Sequence, residues 1–503
     1  VIRLVLLTLV IAPSFAVAGT ANLASAISSI TSGEMRSHVF ALSDDTFEGR
    51  EAGSRGGRAA GLYLVQKLQG YGLKGGVKGG YYQPFGNYAN VIAVLEGSDP
   101  VLKNEYILVG AHYDHVGYGN RRNSYGPTGY IHNGADDNAS GVSGLLEVAQ
   151  AFASSGAKPK RTLLFCFWDG EEKGLYGSKH WVESPTVPLN QVALAFNADM
   201  IGRLGNKPLE VLGTRTAPGM RRLVSLANDD PHLKLFFNWE LKENSDHFSF
   251  LERRVPVVMF HTGLHGDYHR PSDDAEKIDT NGMQQIGRML FRLLDRAADE
   301  PQLGKFRQQA RQEGPWTQRQ LDQPLPQPAG RLGLSWDEKQ ASTGKLMVTK
   351  VRFGSPAEKA GIQVGDQITE FAGKPIASSV DFRTAVLAAA NPTSATVTRA
   401  GAEAPVTLQV ELLGKPLRLG MSWRLDDGEP GVLIVNQVVL GSPAEVAGLK
   451  VNDRIYSAAG KESLSTQSFL DLVNATEGAL DLLVESSGQT RPMTINLAAL
   501  STK

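Results

Sequence analysis

The sequence predicts an α/β fold, a mostly parallel sheet flanked by helices, followed by two small β-rich modules. Three observations predict it. From about Met35 to Ala298, short continuous apolar runs alternate with amphipathic stretches of helical spacing, the pattern of strands covered on both faces. Acidic and histidine residues stand at the ends of the apolar runs. Beyond a Gln/Pro-rich stretch the chain repeats itself with a fixed offset.

Taken in order, Arg58 to Leu73 has helical spacing, Tyr106–Gly110 reads as a strand, and Val142 to Phe152 as a helix. Thr162–Phe167, Val192–Phe196 and Val255–Phe260 read as further strands. At 503 residues the chain is too long for one ordinary core. A formal net charge of -1 gives no electrostatic reason to expect nucleic acid or an anionic membrane as partner.

Residues 1–18 read as a secretory signal, with Arg3 at the start, an apolar run from Leu4 to Ala12 and the small-residue site Ala16-Val17-Ala18. Pro13 interrupts a run already short for a bilayer, so no stable membrane span is expected after cleavage. An exported protein, periplasmic or secreted, follows. The only cysteine, Cys166, lies in an apolar run and reads as an inert core residue, so no internal disulfide is available.

Five residues have the chemistry of metal ligands: His112, Asp136, Glu172, Asp199 and His269. Two imidazoles and three carboxylates can hold two cations when one carboxylate is shared. In an open α/β sheet the carboxyl ends of the strands converge on one crevice, where such residues can meet. Asp114, two residues past His112, lies on the same side of an extended chain and can orient its imidazole. Gly134 to Gly141 supplies the bent, glycine-flanked backbone that a shared carboxylate needs, although a helix cap is the plain reading. In Asp169-Gly170-Glu171-Glu172 one acid can bind metal while its neighbour carries a proton. His247, His261, His265 and His269 crowd into 23 residues; His247 and His265 are candidates for pocket or supporting roles. His115, His132 and His180 read as structural.

From about Asp299 the pattern dissolves, and Gln323-Pro324-Leu325-Pro326-Gln327-Pro328 reads as an extended connector. Then Arg331-Leu332-Gly333-Leu334-Ser335-Trp336 returns as Arg418-Leu419-Gly420-Met421-Ser422-Trp423, and Gly354-Ser355-Pro356-Ala357-Glu358 returns as Gly441-Ser442-Pro443-Ala444-Glu445. Both offsets, 418 − 331 and 441 − 354, are 87 residues, so two tandem modules follow the first domain.

From Phe47-Glu48-Gly49-Arg50 through Asp267-Tyr268-His269-Arg270-Pro271-Ser272-Asp273-Asp274 the chain resembles metallopeptidase family 28, the co-catalytic zinc aminopeptidases. The resemblance implies two Zn2+ per chain. It makes Asp136 the bridging ligand, with His112 and Asp199 on one zinc and Glu172 and His269 on the other. It makes Glu171 the general acid/base and Tyr268 a group that polarises the scissile carbonyl, and it places a cis peptide at Asp136–Asp137. Peptides with a free N-terminus are the implied substrates. The repeats resemble PDZ domains, which implies capture of C-terminal peptides at Leu332, Gly333, Leu334 and at Leu419, Gly420, Met421, beside a groove that takes an added strand. Asn452 stands where the first copy has Gly365, a change the turn tolerates because Asn accepts positive φ.

The expected organisation is a signal peptide 1–18, a zinc aminopeptidase domain 19–300, a linker 301–329, and PDZ-like domains 330–414 and 415–503. Two other readings belong beside it. A glutaminyl cyclase shares the scaffold with one zinc, and a non-catalytic PDZ receptor would have lost a ligand or the base. None of these residues is missing.

Overall fold

The computed structural model describes residues 16–156 and 158–497. The apolar start of the expected signal, residues 1–15, lies outside the described residues, whereas Ala16-Val17-Ala18 opens a helix, α1 (Ala16–Ser29). The chain divides into two compact units, residues 1–315 and 316–503.

The first unit is built on a nine-stranded sheet. Its strands are β1 (Lys74–Gly75), β2 (Tyr82–Phe85), β3 (Tyr88–Leu95), β4 (Tyr106–His112), β5 (Thr162–Trp168), β6 (Val192–Ala198), β7 (Leu209–Leu212), β8 (Leu235–Asn238) and β9 (Val257–His261). The order is β1-β3-β5-β4-β6-β9-β7-β8, with β2 paired to β3. Pairs β5-β4, β4-β6 and β6-β9 are parallel, whereas β3 meets β5 and β7 meets β9 antiparallel. The expected parallel sheet is therefore its centre, and each flank joins it through an antiparallel pair, β7 and β8 being parallel to each other. The strands legible as continuous apolar runs are the central ones, because only they are covered on both faces.

Alternation along each strand divides the core. Ile107, Val109 and Ala111 of β4, with Leu163, Phe165 and Phe167 of β5, pack beneath the helices Gly141–Ser154 and Thr280–Asp299. Leu108, Leu164, Cys166 and Trp168 face the other way, against Trp181 of the helix Tyr176–Glu183 and Phe250 of the helix His247–Glu252. Cys166 is fully buried there, as expected of a core thiol. Gly110 is required under Trp168: a Cβ would lie 2.4 Å from the indole nitrogen.

The expected connector is shorter than the sequence suggested. Its first part belongs to the first unit: Arg307 N donates to Thr216 O at 2.7 Å, Ala310 is buried, and Glu313 accepts from both Arg215 and Arg307. The later Pro-containing part lies along the second module of the other unit, where Leu325 N donates to Asn436 O at 2.8 Å. The Gln-rich part carries a short 3-10 helix, Gln308–Arg311, and a helix, Pro315–Leu321, so its composition excluded neither regular structure nor docking; only the Pro-containing run 323–328 has no helix or strand.

The second unit contains two six-stranded sheets, each with its own core. The structure explains the repeated words. Ser355 caps the helix Pro356–Lys359 by accepting from Glu358 N, while the Glu358 carboxylate accepts from Gly354 N; Ser442 and Glu445 do the same. Arg331 donates to Val386 O, Leu387 O and Ala389 O at the end of the helix Ser379–Ala388, and Arg418 donates to Val473 O and Thr476 O at the end of Thr466–Ala475. Each arginine thus satisfies carbonyls at the negative helix end. Asn452 takes φ +69° where Gly365 takes +90°, so the turn survives.

Candidate metal centre

Five chain segments meet at the carboxyl ends of the adjacent strands β5, β4 and β6, one of them the turn 135–140. His112 is the last residue of β4, Glu171 and Glu172 follow β5 in a short 3-10 turn, and Asp199 follows β6. His269 arrives from the loop after β9, with φ +51°; Met200 next to Asp199 also takes a positive φ, +52°. Backbone of this kind in non-glycine residues persists where the surroundings fix it.

The carboxylate that lies between the two imidazoles is Asp137. Its Oδ1 lies 3.3 Å from His112 Nε2 and its Oδ2 3.1 Å from His269 Nε2. Asp136, the expected bridge, turns away: Oδ1 accepts from Gly202 N at 2.6 Å and Oδ2 faces His265 Nε2 at 3.1 Å. The correction is one residue, and it has a backbone cause. Asp137 and Asn138 leave the helical φ/ψ region inside the turn 135–140, which sends successive side chains to different sides. The cis peptide is correspondingly Asp137–Asn138, not Asp136–Asp137. Gly134 makes room for this turn with φ +55°; a Cβ there would stand 2.2 Å from Asp137 O. Asp273 fixes it by accepting from Asp136 N and Asp137 N at 2.9 and 3.1 Å.

The other expected ligands converge. Asp199 Oδ1 is 3.4 Å from His112 Nε2, and Glu172 Oε2 is 3.2 Å from His269 Nε2. Two donor groups result, His112 with Glu171 and Asp199, and Asp137 with Glu172, His269 and His115, the atoms of each lying within 4.8 Å of one another. His115 was read as structural from the sequence, and the structure places its Nδ1 2.8 Å from Glu172 Oε1. Its position three residues after His112, at a strand end, was the available signal.

Asp114 has a different task from the one expected. His112 Nδ1 lies 3.1 Å from the Asp114 backbone carbonyl and 3.8 Å from its carboxylate. The carboxylate instead accepts from Glu171 N at 3.0 Å and Glu172 N at 3.3 Å, holding the acidic turn. Asp199 is oriented by Ser245, which donates to its Oδ2 at 2.5 Å and accepts from Asn197 at 2.7 Å. Neither partner was legible in the sequence.

Arg50 ties the loops together. Its guanidinium, 1% exposed, donates to Tyr113 O, Leu42 O, Asn133 O and Gly134 O, bracing the segments that carry His112 and Asp137. Burial lowers its pKa to about 10 despite the favourable field of Asp137 and Asp114.

The electrostatics are those of a cation site. Burial raises Glu171 well above the usual carboxylate range, opposed by His112 and reinforced by Glu172. Burial also works against the Asp137 carboxylate, yet His112 and His269 hold it well below that range. Burial opposes the His269 imidazolium, yet Asp137 and Glu172 push its pKa up to about 11. Gathered carboxylates with buried imidazoles are costly unless neutralised. His269 Nε2 is buried and makes no hydrogen bond, though carboxylate oxygens face it at 3.1 and 3.2 Å. That unpartnered nitrogen, which a cation can take in place of a proton, and a mixed imidazole and carboxylate donor set fit zinc. Tyr268 stacks on His269 with ring centroids 4.0 Å apart, and burial raises its hydroxyl pKa, which keeps the proton on the oxygen. Of the remaining histidines, His247 is buried with its pKa lowered to about 4 by burial, and His132 bonds Ser124 and Tyr130 O.

In the second unit, Leu332, Gly333 and Leu334 line a cavity of about 350 Å³ with Trp336, Phe382 and Val386. Gly333 has φ +81°, and a Cβ would meet Ser355 Cβ at 2.5 Å; Gly420 repeats this with φ +77° against Ser442 Cβ at 2.1 Å. Leu332 and Leu419 are buried in their own cores, and Met421 packs at the edge of the second.

This fold and this donor set define a metallopeptidase-type domain. Residues 90–294 match Peptidase family M28, and residues 330–412 and 434–485 match PDZ domain families, so the chain carries an M28 peptidase domain followed by two PDZ domains. Leupeptin-inactivating enzyme 1 of Streptomyces exfoliatus is 29% identical over 202 residues, 37% of this chain and 38% of that one. Aminopeptidase YwaD of Bacillus subtilis is 29% identical over 211 residues, 39% of this chain and 42% of that one. The solved LapA aminopeptidase of Legionella pneumophila aligns at TM-score 0.46 and 20% identity over 56% of this chain and 76% of that one. The chain thus spans less than half the length of these curated relatives.

Proposed function

We propose that the chain is an exported zinc aminopeptidase that removes N-terminal residues from peptides, using a pair of zinc ions. The single observation that carries the reading is Asp137 between the imidazoles of His112 and His269, with Glu171 beside them. His112, Asp137 and Asp199 would hold one ion, and Asp137, Glu172 and His269 the other. Bound there, such ions supply Lewis acidity to a scissile carbonyl and acidify water.

The chain's own residues do the rest. Glu171, aligned by the hydrogen bond from its backbone N–H to Asp114, takes a proton from water and returns it to the leaving amine. Its raised pKa suits that exchange. Tyr268 keeps its proton and donates to the carbonyl oxygen as charge develops. The crowd of carboxylates favours a substrate's free α-ammonium group, which limits cleavage to the N-terminal end. Two separate donor sets favour this over a one-zinc cyclase, and the intact set favours it over a non-catalytic receptor.

The PDZ grooves are assigned to capture of C-terminal peptides, on the strength of the positive-φ loops at Gly333 and Gly420, the first of them lining an apolar cavity. Export rests on the pattern of residues 1–18; no helix among the described residues is long and apolar enough to cross a membrane. Hydrolysis of aminoacyl anilides, lost with a chelator and restored by two equivalents of zinc, tests the central reading. Turnover that survives full metal removal would overturn it.

A further inference from the structure

We propose that His115 is a protein ligand of the second metal position through Nδ1, so that the two positions are chemically unequal. One is closed by His115, Asp137, Glu172 and His269. The other, with His112, Asp137 and Asp199 beside Glu171, is left open. The proposal rests on the two-metal reading above.

The ring is fully buried, and its Nδ1 faces the same cage as the other donors, 2.8 Å from Glu172 Oε1 and 3.8 Å from Asp137 Oδ2. His269 closes the cage at 3.1 Å from Asp137 Oδ2 and 3.2 Å from Glu172 Oε2. Donors on a tetrahedral zinc with bonds of about 2.1 Å lie about 3.4 Å apart, and these separations bracket that value. The imidazoles of His115 and His269 stand nearly perpendicular, 82° between planes with centroids 5.5 Å apart, so they approach from different directions as two corners of one polyhedron do.

His115 Nε2 is buried without a hydrogen-bond partner, so the polar contacts that order the ring lie on the Nδ1 side. Gly134 backs it: a Cβ there would stand 2.5 Å from the His115 ring. The ring is thus packed in place with one nitrogen aimed at the cage.

The consequence is a division of labour. Structural zinc sites have four protein ligands, whereas catalytic sites keep a position for water or substrate. By that rule the His115 position, with one more protein donor, holds its ion the more tightly, and the position beside Glu171 leaves more room for water and substrate while both ions serve the reaction.

The test uses the full chain loaded with cobalt(II) and observed by proton NMR. A coordinated imidazole shows a hyperfine-shifted, solvent-exchangeable N–H from the ring nitrogen opposite the metal. Three such signals are expected, from His112, His115 and His269, with one lost in His115→Gln. Two signals in the unaltered chain, with none lost in the variant, would overturn the assignment while leaving the two-metal reading intact. Uptake of a single cobalt would overturn the two-metal reading instead, and the signal lost or kept in His115→Gln would then decide His115 alone. The count in the unaltered chain stands even where the variant does not fold.

Discussion

Asp136 and Asp137 are neighbours in the chain whose carboxylates serve different structures: Asp137 lies between His112 and His269, while Asp136 accepts from Gly202 N and faces His265. Asp137→Asn is expected to abolish the shared position, lowering bound zinc below two equivalents and removing turnover. Asp136→Asn is expected to retain metal-dependent turnover with a lower melting temperature, because it weakens a buried hydrogen bond worth about 1 kcal/mol. Metal analysis and calorimetry on both variants check the assignment; a reversed pattern would restore Asp136 as the bridge.

Glu171→Gln keeps the shape of the acidic turn, since the backbone bond to Asp114 remains. Turnover of an aminoacyl anilide is expected to fall by about 100- to 10,000-fold, the usual contribution of a positioned proton carrier. Zinc content is expected to be unchanged, and a parallel loss of metal would instead make Glu171 a ligand.

Arg50→Lys retains the charge but not the fork that reaches four carbonyls. The loss is expected to exceed about 2 kcal/mol, because several buried acceptors lose a charged donor. Denaturant unfolding measures it, and a variant as stable as the parent would show that the loops of His112 and Asp137 are held elsewhere.

Glu313 gives a pH-dependent prediction outside the metal centre. Burial works against its carboxylate, yet Arg307 and Arg215 hold its pKa down at about 2, below the ordinary 4.5. A carboxylate depressed in the folded state stabilises it above the unfolded value and loses that contribution as pH falls toward 2. Because solvent screens this partly exposed pair, Glu313→Gln is expected to cost only about 1 kcal/mol near pH 7, with the difference from the parent shrinking between pH 4.5 and 2. Unfolding of both proteins across that range checks the sign.

Gly333→Val tests the first PDZ groove. A Cβ meets Ser355 at 2.5 Å, and φ +81° disfavours a branched side chain. Binding of a C-terminal peptide to that module is expected to be lost, while hydrolysis of a small anilide stays unchanged. Undiminished peptide binding would place the ligand elsewhere.

Much of this was readable in one dimension. The apolar runs Ile107–Val109 and Leu163–Phe167 announce central strands because both faces are covered, and acids at their ends announce a crevice. The repeat announces twin modules because each uses the same arginine and serine to close the same helix ends. Flanking strands were less legible, since β7 and β8 span only four residues each.

By itself the sequence determined the fold class, the two kinds of domain and the residue types of the centre, because periodicity and ligand chemistry are local properties. Only the tertiary structure decided that Asp137 rather than Asp136 lies between His112 and His269, that the His115 ring faces Glu172, and that Asp114 holds the acidic turn by its carboxylate. The physical reason is that a side chain's direction in an irregular turn depends on the backbone angles of single residues, and those are set by distant partners such as Arg50 and Asp273.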